Sequence, residues 1–242
     1  MKHSRGKVLY IQPIGCEGPG LIESTRPDSL QVEMCRPMLG HPLPSDPSGY
    51  SAIIALGGPM SVNETDRYPW LHDNFILLER ALDAGIPCLG VCLGSQMLAH
   101  CCGAIVMPMG SKEIGWGDIA LTDAGRIDPL TSCLPSPTTA FHWHGDKWDL
   151  PEGAALLASS EACPHQIFRV GDNAYGLQCH LEITREMPSL WAQAYPDEIA
   201  QLEDSSSFME TVDRETAEYF PTLAPHSEQL FKAFWNLALN LP

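Results

Sequence analysis

The junction at residues 86–96 constrains this chain more than any other stretch. An apolar run at residues 86–89 leads into Gly90-Val91-Cys92-Leu93-Gly94-Ser95-Gln96, and residues 96–102 have helical composition. A buried strand that turns sharply into a helix between two glycines is the backbone of a nucleophile elbow. The thiol at its centre sits in a strained conformation, and side chains at the flanking glycines would collide with neighbouring strands. The helix that follows turns its N-terminal N–H groups toward the sulfur, which favours thiolate over thiol. The backbone N–H of Leu93 is then placed to hold an oxyanion.

Such an elbow needs a sheet around it, and the first half of the chain predicts one. Residues 7–12, 31–35, 50–56 and 86–91 read as buried strands. Residues 71–84 read as a helix, with Leu71, Phe75, Leu78 and Leu82 on one face and a stop at Gly85. Strands alternating with helices imply right-handed β-α-β units and a mostly parallel sheet. Ligands collect beyond the carboxyl ends of such strands, where Gly57-Gly58-Pro59 and Cys92 should be near neighbours. In the second half, residues 112–122, 138–143, 155–159, 166–170 and 174–178 read as short strands. Gly171-Asp172-Asn173 reads as a hairpin turn. Residues 184–194 and 227–239 read as helices, with Met187-Pro188 a break in the first. No repeat and no linker interrupts the 242 residues, so one domain is expected.

Charge narrows the partners. The 30 acidic and 14 basic residues give a net charge of −16, which repels phosphate backbones and anionic lipid. Neither nucleic acid nor membrane is therefore an expected partner. Asp197, Glu198, Glu203, Asp204, Glu210, Asp213, Glu215 and Glu218 crowd one region, expected to be a solvated helical face. The basic residues 1–7 precede an apolar stretch, residues 8–11, too short for a signal peptide. Nine cysteines without framework spacing fit reduced thiols and a cytoplasmic chain. Cys88, Cys92, Cys101, Cys102 and His100 lack the paired C-x2-C halves of a zinc site. His142, His144 and Asp146 read as a substrate-rim loop rather than a metal centre.

A cysteine nucleophile needs a base, and the base needs a group to orient it. His180-Leu181-Glu182 offers both, because residues two apart in an extended segment point to the same side. Cys179 points the other way.

Gly90-Val91-Cys92-Leu93-Gly94-Ser95-Gln96, Gly57-Gly58-Pro59 and Gln178-Cys179-His180-Leu181-Glu182 together resemble the class I (triad) glutamine amidotransferases. The resemblance is to the amidotransferase domain of GMP synthetase and its stand-alone relatives. Residues 141–147 (Phe-His-Trp-His-Gly-Asp-Lys) and 112–116 (Lys-Glu-Ile-Gly-Trp) resemble two further segments of that family, in the same order. The resemblance implies an α/β, flavodoxin-like three-layer sandwich. Its core would span about residues 7–195, with an acidic helical extension after it. It implies Cys92 as nucleophile, His180 as acid and base, and Glu182 as its orienter. The backbone N–H groups of Gly58 and Leu93 would form the oxyanion hole. Gln96, Trp143, His144 and Gly145 would clamp a glutamine substrate. No metal or other cofactor is implied. Two positions depart from the family pattern: Cys179 and Leu181 stand where Phe and Pro are common. Three readings follow: a glutaminase that passes ammonia to a separate synthetase, a stand-alone hydrolase of γ-glutamyl amines or peptides, or a non-catalytic binding module.

Overall fold

In β1 (Lys7–Ile11) the apolar side chains alternate between two buried faces, as a strand covered on both sides by helices requires. Val8 and Tyr10 enter one core, Leu9 and Ile11 the other. The computed structural model describes residues 6–202 and 204–239. Residues 1–5 of the basic start, and Glu203 of the acidic stretch, lie outside the described residues.

After β1 come α1 (Gly20–Ser24), β2 (Gln31–Cys35), β3 (Ala52–Ala55), α2 (Trp70–Asp83), β4 (Cys88–Val91) and α3 (Leu93–Cys101). These strands stand in the order β2-β1-β3-β4, all parallel. The second half adds β5 (Val106–Leu121), α4 (Asp123–Ile127), β6 (Thr138–Trp148), β7 (Ala155–Ser159), β8 (Ile167–Val170) and β9 (Ala174–Leu177). β9 returns to pair in parallel with β4, and from there β8, β7, β5 and β6 continue the sheet antiparallel. The hairpin between β8 and β9 turns at Gly171-Asp172-Asn173, as expected. β5 and β6 are longer than their sequence signals. They form a ribbon whose register shifts between Pro108 and Glu113.

Three helices follow: α5 (Met187–Ala194), α6 (Pro196–Ile199) and α7 (Phe208–Leu239). Pro188 opens α5 instead of breaking it, because a first-turn proline gives up no helical hydrogen bond. α7 has 32 residues and runs through Pro221 and Pro225, well beyond the expected 227–239. Both prolines lie on its exposed side, where water can satisfy the carbonyls they leave unpaired. Its inner side carries Leu223, Leu230, Phe231, Phe234 and Trp235 into the same core as Val8 and Tyr10. The Trp235 indole N–H donates to the Ile22 carbonyl (3.2 Å), fastening α7 to α1. α2 and α3 cover the opposite face. Among the described residues no helix is long and apolar enough to cross a membrane.

Candidate active site

Cys92 stands between β4 and α3 with φ 51° and ψ −110°, the one non-glycine at positive φ among the described residues. Such a conformation costs on the order of 1–3 kcal/mol and persists only where the surroundings impose it. Here the glycines do the imposing. A Cβ on Gly94 would lie 1.9 Å from the Ala55 carbonyl oxygen of β3, so only glycine lets α3 start this close to the sheet. A Cβ on Gly90 would meet the Gly94 carbonyl oxygen at 2.3 Å, a clash within the turn and not with a neighbouring strand. The Leu93 N–H lies in the first turn of α3, where no intrahelical acceptor exists. The expected closeness of the β3 loop is present: a Cβ on Gly57 would stand 3.5 Å from Cys92 Cβ, and one on Gly58 3.3 Å from the Leu93 side chain.

β9 ends at Leu177, so His180 and Glu182 lie just beyond the strand. The His180 N–H donates to the Phe141 carbonyl of β6 (2.7 Å), and the Leu21 N–H of α1 donates to the Glu182 carbonyl (2.7 Å). These two anchors hold the side chains on one side, where His180 Nδ1 meets Glu182 Oε1 at 2.7 Å. In the neutral ring the carboxylate fixes the proton on Nδ1 and leaves Nε2 as the acceptor. Nε2 is buried and has no hydrogen-bond partner among the described residues. Burial pushes His180 down, but Glu182 and the Cys92 sulfur outweigh it and hold the imidazole well above its ordinary value. Burial pushes the Cys92 thiol up, and His180 opposes that shift. The thiol itself points at the Trp143 carbonyl, 3.7 Å away. The Trp191 ring meets the His180 ring edge-on, with centroids 4.6 Å apart.

The four expected clamp residues all line the cavity over Cys92, which has a volume of about 760 Å³. Gln96 is buried, with its amide donating to Gln178 Oε1 (3.3 Å). Gly145 leaves room for the Lys112 side chain. His144 is held by a buried network: its Nε2 faces Glu113 Oε2 at 2.9 Å and its Nδ1 faces the Asp146 carbonyl at 3.0 Å. Gln166 donates to the same Glu113 oxygen (2.7 Å), and the Ser160 hydroxyl donates to the other (2.8 Å). Burial pushes His142 down to about 4, so it is neutral at pH 7. Burial raises Glu113 less than its histidine and serine neighbours lower it, and its carboxyl lies below the usual value. Glu113, His142 and His144 could each offer a metal ligand atom, all within 4.8 Å of one another. In this structure those atoms face one another and the Gln166 amide, and both histidines turn their second nitrogen to a backbone carbonyl.

The cavity also has walls that the motifs do not foretell. Glu17 comes from the loop after β1, and Trp191, Tyr195 and Glu198 from the α5–α6 region. Tyr195 donates its hydroxyl to Glu17 Oε1 (2.6 Å), and Trp191 donates its indole N–H to the Cys16 carbonyl (2.9 Å). Glu198 accepts from Lys112 Nζ (2.8 Å) and Trp143 Nε1 (3.2 Å). Glu198 thus turns inward, away from the solvated face expected for the acidic region. Asp197, Asp204, Glu210, Asp213 and Glu218 are exposed, as expected.

A thiol on a nucleophile elbow, at the carboxyl ends of parallel strands and beside a His–Glu pair, defines an α/β protein built like the cysteine-dependent amide-cleaving enzymes. The chain belongs to the class I glutamine amidotransferase family, whose model matches residues 31–188. It is similar to the glutamine amidotransferase-like protein YfeJ of Salmonella typhimurium. Identity is 37% over 158 residues, covering 64% of this chain and 66% of that protein. It is also similar to the glutamine-hydrolysing GMP synthase of Neisseria gonorrhoeae, 34% identical over 134 residues. That match covers 54% of this chain but 24% of the synthase, so this chain spans about a quarter of that relative. A crystal structure of a glutamine amidotransferase from Thermotoga maritima superposes with a TM-score of 0.82 at 32% identity, covering 96% of this chain and 98% of that one.

Proposed function

We propose that this protein hydrolyses the γ-carboxamide of glutamine, or of a related γ-glutamyl amide, through a thioester on Cys92. The observation that carries the reading is the His180–Glu182 contact of 2.7 Å, with His180 Nε2 left free beside a thiol held at positive φ.

His180 Nε2 takes the Cys92 proton, and the sulfur attacks the carboxamide carbon. The carbonyl oxygen gains the negative charge and is held by the N–H groups of Gly58 and Leu93. His180 then donates its Nε2 proton to the leaving nitrogen. The C–N bond breaks, and a γ-glutamyl thioester remains. Water gives a proton to His180 and attacks the thioester; glutamate leaves, and the sulfur recovers its proton. Glu182 keeps the imidazole oriented and supports its charge. Gln96, Trp143, His144 and Gly145 hold the glutamyl part, and the Glu113 network fixes His144.

Where the nitrogen goes distinguishes two versions. Likeness to part of a GMP synthase supports ammonia passing to a separate synthetase chain. A specific feature favours a self-sufficient hydrolase of substituted γ-glutamyl amides. The cavity of about 760 Å³ lies in the range that holds drug-sized ligands, well beyond a single amino acid, and α5 and α6 wall it.

Cys92→Ala is expected to abolish glutamate release from every γ-glutamyl amide and to leave the fold intact by circular dichroism. Turnover by the alanine variant at the wild-type rate would refute the thioester route. A glutamine-like electrophile such as diazo-oxo-norleucine should label Cys92 alone among the nine thiols, read by peptide mass spectrometry.

A further inference from the structure

The cavity over Cys92 is rich in carboxylates and poor in cations. Glu17, Glu64, Asp146 and Glu198 line it against the single ammonium of Lys112. Lys112 is taken by Glu198 at 2.8 Å, and Glu64 is paired outward with Arg67 at 3.1 Å. Glu17 differs from the others. It is 7% exposed, its Oε1 accepts only the Tyr195 hydroxyl, and its Oε2 has no hydrogen-bond partner among the described residues. That free oxygen lies against Gly57, where a Cβ would come within 2.3 Å of it and 3.5 Å of Cys92 Cβ. The glycine leaves room for a carboxylate beside the nucleophile. A buried carboxyl with one neutral partner is costly as an anion unless a cation completes it. Burial pushes Glu17 up, and an ammonium seated on its free oxygen would hold it ionised.

The side of the cavity identifies the ligand. The acid that protonates a leaving nitrogen must lie on the leaving-group side, and here that acid is His180. Trp191 packs on the His180 ring and ties to the Cys16 carbonyl, next to Glu17. Glu17, Tyr195 and His180 therefore stand together on that side, while Gln96 and residues 143–145 contribute the glutamyl clamp. Glu17 and Tyr195 also fall outside residues 31–188, the stretch that the family model matches.

We propose that Glu17, positioned by Tyr195, recognises a positively charged leaving amine, so that the favoured substrates are γ-glutamyl amides of diamines. This rests on the γ-glutamyl hydrolase reading above and assigns its leaving group.

The test uses the full chain and three amides of matched size: γ-glutamyl propylamide, γ-glutamyl-(3-aminopropyl)amide and γ-glutamyl-β-alanine. Glutamate release is followed for each, with glutamine alongside. The cationic amide should exceed the neutral one in kcat/KM by about tenfold or more, and the anionic one by a larger factor. Glu17→Gln should bring the three within a few-fold of one another, and Tyr195→Phe should narrow the spread. Equal loss on all three in Glu17→Gln would place Glu17 on the glutamyl part and overturn the assignment. Wild-type protein that cleaves the substituted amides without regard to the charge of the amine overturns it while leaving the hydrolase reading intact. Cleavage of glutamine alone overturns it together with the substituted-amide version of that reading. No turnover of any compound, glutamine included, overturns both. The wild-type comparison decides the matter even if a Glu17 variant fails to fold.

Discussion

The Glu182 carboxylate sets the charge state of the imidazole that serves the thiol. Glu182 holds His180 above its ordinary value despite complete burial. In Glu182→Gln the imidazole loses that support and falls toward or below its unperturbed value of about 6.5. The acid limb of the kcat/KM profile for glutamine should then move to lower pH, with kcat falling by about 10- to 100-fold. Stability follows the same sign. The raised His180 contributes fully below the unfolded value, and the contribution is lost as pH climbs through the folded one. Melting temperatures across that window should decline in the wild type more than in Glu182→Gln; parallel curves would sink the argument. The elbow and the His180–Glu182 contact are legible in the sequence because each depends on a few consecutive residues. Glu17 and Tyr195 are not, since their contact joins positions 178 residues apart and no local pattern marks either.

At the level of elements, the parallel strands are legible because each is a short apolar run bounded by turn residues. Even the boundaries agree for Gln31–Cys35 and Ala155–Ser159. α7 is the element most under-read. Pro221 and Pro225 argue locally for a stop, yet the buried side chains on both sides of them outweigh that preference. The cost should still be present in the folded state. Pro225→Ala, at an exposed position, should raise stability by about 1–3 kcal/mol in denaturant titrations. No gain would mean that the helix has another way of accommodating the ring. β5 is also longer than its signal, because Met107, Met109 and the residues around them sit on an exposed ribbon without clean alternation.

Across the whole molecule, the region after residue 195 is where sequence pattern and packing diverge most. Its acidic outer face suggests an appendage, but the inner face of α7 shares a core with the first strands. We propose that residues 7–239 form one folding unit. Trp235→Ala should cost about 3–5 kcal/mol, and removal of α7 should leave chain that is recovered insoluble. A truncated chain with a cooperative melt and intact β-sheet signal would refute this. α5 and α6 tie the same region to the cavity, so a loss of α7 would be felt at Cys92 as well.

The hydrogen bond from Trp235 to Ile22 spans 213 positions. During translation, α1 and β1 therefore wait for their cover while the intervening chain is made. At about 5–20 residues per second that wait is roughly 10–40 s, with apolar surface on β1 and β3 open throughout. The polypeptide's most vulnerable interval falls on the ribosome, and its yield in a cell should depend on holdase chaperones more than the melting temperature of the finished fold would suggest.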